Sequence, residues 1–85
     1  MRRETLRARV RLERPVAGAG AFETIAHLWA HAAPGDPWIF TIRARDDATP
    51  GACIVWRGRR FRIHTRRDAD DRGARLHLHC NEEEA

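Results

Sequence analysis

Apolar and polar residues alternate with a period of two over most of the chain. In Leu6-Arg7-Ala8-Arg9-Val10-Arg11-Leu12 the aliphatic residues share one side and Arg7, Arg9 and Arg11 the other. That period predicts a half-buried strand, because a helix would scatter the same residues around its axis. Arg14-Pro15 is expected to end it, since proline brings no donor to a ladder and restricts the residue before it. Residues 16–21 are small and glycine-rich and read as a loop. From Trp38 the period returns, with Trp38, Phe40, Ile42 and Ala44 on one side and Ile39, Thr41, Arg43 and Arg45 on the other. Residues 52–56 form a short apolar strand. Arg57-Gly58 then separates it from a strand over 59–64 in which Phe61 and Ile63 supply the apolar face. A two-residue connection with glycine second signals a tight hairpin, although arginine is an unusual first residue for a mirror-type turn. Residues 68–73 are a polar connection, after which Ala74, Leu76, Leu78 and Cys80 alternate with Arg75, His77 and His79.

One segment fits two patterns. In Phe22–Ala32, the residues Ile25, Leu28, Trp29 and Ala32 match a helical stripe, while Ile25, His27, Trp29 and His31 match a strand. Residue propensity tips it towards helix. Five strands, six if this segment is extended, joined by short connections, predict an all-β fold: a small antiparallel β-barrel or compact sandwich of five to six strands. The 85 residues make a single domain over 1–85, with a core over 5–81 and an acidic tail over 82–85. Such a length leaves a thin core and little room for a deep active site. No apolar run approaches the roughly 20 residues that span a membrane, and no signal-peptide pattern follows Met1, so the expected compartment is the cytosol of the producing cell.

Charge changes the picture more than composition does. All 16 basic residues are arginine, against 12 acidic residues, for a formal net charge of +4. Residues 57–67 hold Arg57, Arg59, Arg60, Arg62, Arg66 and Arg67 and no acid, whereas Glu82, Glu83 and Glu84 cluster at the end of the chain. Guanidinium groups bind carboxylates and phosphates in bidentate fashion, so these arginines, with Arg7, Arg9 and Arg11, are candidates for an interface or for the lining of a DNA channel. Arg60, Arg62 and Arg66 are expected along one strand face, with Phe61 on the other. A single-strand reader would instead carry its aromatics among the arginines. Trp38 and Trp56 are candidate interface residues, because large aromatics carry binding energy at subunit contacts.

Catalytic and metal chemistry have little to work with. His64, His77, His79 and Cys80 gather in the last third, but alternation turns Cys80 away from His77 and His79, and no zinc-finger spacing occurs. Cys53 and Cys80 read as buried thiols. Asp68, Asp70 and Asp71 lack the further oxygen ligands of a calcium loop. The expectation is a non-enzyme without metal or cofactor.

The order of these features resembles the head-tail joining (head closure, or stopper) family of tailed bacteriophages and gene-transfer-agent-like particles. Arg9-Val10-Arg11-Leu12-Glu13-Arg14-Pro15 is similar to that family's first strand, and Glu23-Thr24 with Leu28-Trp29-Ala30 to its second element. Phe40-Thr41-Ile42-Arg43 resembles the Ile-Thr-Ile-Arg strand that follows. Pro50-Gly51, Arg57-Gly58-Arg59 and Phe61-Arg62-Ile63 look like the turn into Phe-x-Ile. Asp68-Ala69-Asp70, Arg72 and Leu76-His77-Leu78-His79-Cys80 resemble the closing hairpin. The likeness covers residues 6–82, although the segment that the family commonly carries between Trp29 and Phe40 is missing here. It implies that 22–32 is extended, and it implies a structural protein without cofactor. Such a protein assembles in the bacterial cytoplasm as a homo-oligomeric ring of about six or twelve copies at the particle neck. It would lie between the portal or adaptor ring and the tail terminator or tail tube, closing the DNA-filled head and offering the tail-docking surface. The basic surface would then touch packaged DNA or pair with acidic neighbours, such as Glu82–Glu84 of an adjacent copy. The alternative reading is a free-standing basic β-barrel that binds nucleic acid.

Overall fold

A computed structural model describes residues 5–18, 20–70 and 72–83. Six strands, β1 (Ala8–Val16), β2 (Ala21–Ala33), β3 (Trp38–Arg43), β4 (Cys53–Trp56), β5 (Arg59–Asp68) and β6 (Arg75–Glu83), close into an antiparallel barrel in the order β1-β2-β3-β6-β5-β4. The barrel, rather than a sandwich, is therefore the form taken, and closure removes free sheet edges. The interior is filled by the residues that alternation aims inward: Val10, Leu12, Ala30, Phe40, Ile42, Ile54, Phe61, Ile63, Leu76, Leu78 and Cys80.

The ambiguous segment is extended. Its inward residues are Ala26, Leu28 and Ala30, paired with Leu12, Val10 and Ala8 on β1, so Trp29 points outward. Helix propensity is overridden because a thirteen-residue strand can pair with β1 on one side and β3 on the other. β1 also runs through Pro15, past the end expected from sequence. Beyond Glu13 it pairs only with β2, as a hairpin arm, and a proline is tolerated where one side of the strand needs no donor.

Two irregularities decide where side chains go. Between the pairs Leu12–Ala26 and Glu13–Thr24 the register shifts and leaves Ile25 unpaired on β2. Strand β1 stays regular against β4, with Leu12 buried inside and Glu13 buried on the outer side among Arg11 and Arg60. A second shift between Ile63 and Thr65 leaves His64 unpaired on β5. Each extra residue changes which side the rest of the strand presents. After the second shift Arg66 lies opposite the inward Leu78, and Arg67 opposite His77. Strand β6 continues to Glu83, so Glu82 and Glu83 belong to the sheet and not to a tail.

Candidate interaction surface

Arg59, Arg60, Arg62 and Arg66 of β5 have partners on the same chain. Arg60 donates to Glu13 Oε1 at 2.8 Å, and Arg11 donates to Glu13 Oε2 at 3.1 Å, so one buried carboxylate holds two guanidiniums. Burial alone would push the Glu13 carboxyl up, but hydrogen bonds from Arg60 and Arg11 and their positive charge outweigh it and hold it below the usual carboxylate range. Arg62 forks onto Glu83, both contacts at 3.1 Å, and donates to the Gly51 carbonyl at 3.0 Å. The ring of Phe22, on the hairpin arm, lies 4.0 Å from the Arg60 guanidinium and 5.5 Å from that of Arg62. Beneath these pairs sits Cys53, fully buried on the outer side of β4, its thiol pushed up chiefly by desolvation.

The barrel ends are closed by two more arginines. Arg59 is clamped by Glu82 at 2.8 and 2.6 Å and lies over the rings of Trp38 and Phe61, 5.0 and 5.3 Å away. Trp38 is 4.9 Å from Phe61, and Trp56 meets both Trp38 and Phe40 edge-on at about 6 Å. Both tryptophans thus pack as the end of the core, because Trp38 shares the inward parity of Phe40 and Trp56 that of Ile54. Arg66 donates to the Asp46 and Ala48 carbonyls, both at 3.3 Å, beside the fully buried Ala48. The expected Arg60–Arg62–Arg66 face is therefore broken by the bulge at His64. Glu82 and Glu83 are paired within the chain rather than offered to a neighbouring copy, and Glu84 lies outside the described residues.

A different part of the exterior carries uncompensated charge. Among the described residues, Arg7, Arg9, Arg43, Arg57 and Arg67 are exposed and make no salt bridge within the chain. Arg57 lies on the Trp56 ring at 4.7 Å, in the β4–β5 turn. Arg9 lies over the ring of Trp29 at 4.9 Å, and Trp29, 52% exposed, is the largest apolar side chain on the surface of the described residues. Beside it is a shallow depression lined by His27, Leu28, Trp29, Arg43, Ala44 and Arg45. Arg45 is held by Asp47 in a two-point pair, which leaves Arg43 as the charge there without a carboxylate. Strand parity marked Trp29 for the outside only once the segment was known to be extended, so sequence reasoning missed it as a site residue. It also missed Phe22 and Glu13.

The histidines of β6 face outward, as alternation predicts, while Cys80 points into the core. Burial, then the charge of Arg67 and the neighbouring His64 and His77, holds the His79 pKa below its usual value. Among the described residues no three His, Cys, Asp or Glu side chains gather as a metal site. No protein-family model, curated protein or solved structure matches this chain.

Proposed function

We propose that this chain is a structural joining protein of the particle neck. It assembles as a ring between the portal or adaptor and the tail, closes the filled head and receives the tail. The observation that carries this reading is the extended segment Ala21–Ala33, for which the residue pattern fitted both helix and strand and the family resemblance implied strand. The other segments of that resemblance are strands or turns that alternation alone also predicts. Arg9–Arg14 lies on β1, Phe40–Arg43 on β3, Phe61–Ile63 on β5 and Leu76–Cys80 on β6, with Arg57-Gly58 as the turn between β4 and β5. One depression of the surface, around Phe22, Arg59, Arg60, Arg62, Glu82 and Glu83, is lined by ion pairs, which suits a docking role.

Deleting the gene in the cell that makes the particles tests this reading. Filled heads that carry no tails and lose their DNA are the expected result. Tailed, DNA-retaining particles at the normal level would overturn it.

A further inference from the structure

We propose that the outer face of β1, β2 and β3, centred on Trp29, is a binding site for single-stranded nucleic acid. The inference goes beyond the neck reading and does not depend on it.

The sequence places its arginine-rich stretch on β5, where Phe61 is fully buried and the Phe22 ring is already covered by Arg60 and Arg62. The structure neutralises Arg59, Arg60 and Arg62 of that stretch and assembles the missing combination on the opposite side of the barrel. Trp29 pairs with Arg9 across the β1–β2 ladder. Because Ala30 pairs with Ile42, the next step of the β2–β3 ladder brings Trp29 beside Arg43. Arg7 lies just before β1, two residues from Arg9. Arg7, Arg9 and Arg43 are exposed guanidiniums with no carboxylate partner among the described residues, and His27 lies against the same depression. Arg9 covers part of the indole, and half of Trp29 remains open to solvent. A flat ring flanked by fixed positive charges provides both components of single-strand binding, stacking of a base and neutralisation of the phosphates on either side. Duplex DNA keeps its bases stacked inside, so it would use only the second. An acidic protein segment would likewise use only the charges.

The test uses the full chain and fluorescence anisotropy with a labelled oligothymidylate of about 15 nucleotides at low salt. Saturable binding, tighter than to a duplex of equal length, is expected. Trp29→Ala should weaken it about tenfold or more, and Trp29→Phe should restore most of the loss. Arg9→Gln and Arg43→Gln should each reduce the slope of log affinity against log salt by about 0.7. Arg62→Gln removes the same charge from β5, which lies opposite β2 in the closed strand order, and should leave the affinity within about twofold. Circular dichroism of each variant separates lost binding from lost fold. Failure to bind, equal binding of duplex, equal loss in Arg62→Gln, an unaffected Trp29→Ala, or equal competition by polyglutamate at matched charge would each overturn the proposal.

Discussion

Glu13 stands where the barrel wall meets the hairpin arm, and its carboxylate holds Arg11 and Arg60 together with the Thr24 hydroxyl. Glu13→Gln keeps the shape but leaves two guanidiniums sharing a neutral acceptor. The expected loss is about 2 kcal/mol, read from urea unfolding. The same residue gives the stability a pH signature. Its folded pKa lies below the unfolded value of 4.5, so its contribution is complete above that value and disappears as pH falls through the folded one. Asp47 and Glu82, also held low by hydrogen bonds from Arg45 and Arg59, lose stabilisation over the same acidic range. Melting temperature should therefore hold down to about pH 5 and then drop. The drop should be shallower in Glu13→Gln, and an identical acid profile for the two proteins would contradict the assigned ion pairs.

Two core residues make sharper predictions. Phe61 is fully buried between Trp38 and Phe40, each 4.9 Å away. Phe61→Ala should cost about 3–5 kcal/mol, a large share of what a domain this small has, and leave the purified protein largely unfolded by circular dichroism. Burial pushes the Cys80 thiol up to about 12, with a smaller contribution from Cys53. Neither cysteine should be alkylated by iodoacetamide at pH 8 in the folded chain, whereas both should react once it is unfolded. Rapid modification of the native protein would show that the barrel does not cover them.

At the scale of elements, the β4–β5 turn holds both central residues at positive φ, 53° for Arg57 and 75° for Gly58. This is the mirror-type geometry that matches strand twist, and glycine adopts it freely. Arginine does not, and its place there costs about 1 kcal/mol; contact with the Trp56 ring offsets part of this. Arg57→Asn should thus raise the melting temperature by about 4–8 °C for each kcal/mol gained, and a lower value would mean that the contact with Trp56 outweighs the strain.

Alternation made most strands legible, because one apolar side per strand leaves a single orientation that buries it. The hairpin turn was legible from Arg57-Gly58 for the same local reason. What alternation does not contain is the place where it is interrupted. The bulge residues, Ile25 on β2 and His64 on β5, interrupt hairpin ladders between consecutive strands, and the second moved Arg66 to a barrel end. Pairing on both sides, with β1 and with β3, decided β2, whose local preference was helical. The candidate site suffered most from this. A run of arginines in one stretch is visible in sequence, whereas the carboxylates that neutralise it come from β1 and β6.

Over the whole molecule, the ion pairs divide the exterior into two kinds of surface. Around β4 and β5, Arg60 and Arg62 are matched by Glu13 and Glu83, with the Phe22 ring laid over them. Around β1, β2 and β3, Arg9 and Arg43 flank an exposed tryptophan, Trp29. Matched pairs stiffen the body and pin the hairpin arm, while unmatched guanidiniums are available to a partner. Arg60→Glu with Arg62→Glu would place two acids beside Glu13 and Glu83, so this pair of changes should destabilise the fold as well as alter the surface. Arg9→Glu with Arg43→Glu touches no internal pair, so its melting temperature should stay within a few degrees of the parent.

The account rests most heavily on where the chain resides when it works. A reconstruction of the intact particles at side-chain detail tests this directly. It should contain several copies of a six-stranded barrel in a ring between the portal and the tail, with Trp29 resolved on the outer face of each. Complete tailed particles whose junction contains no density for this barrel would contradict it.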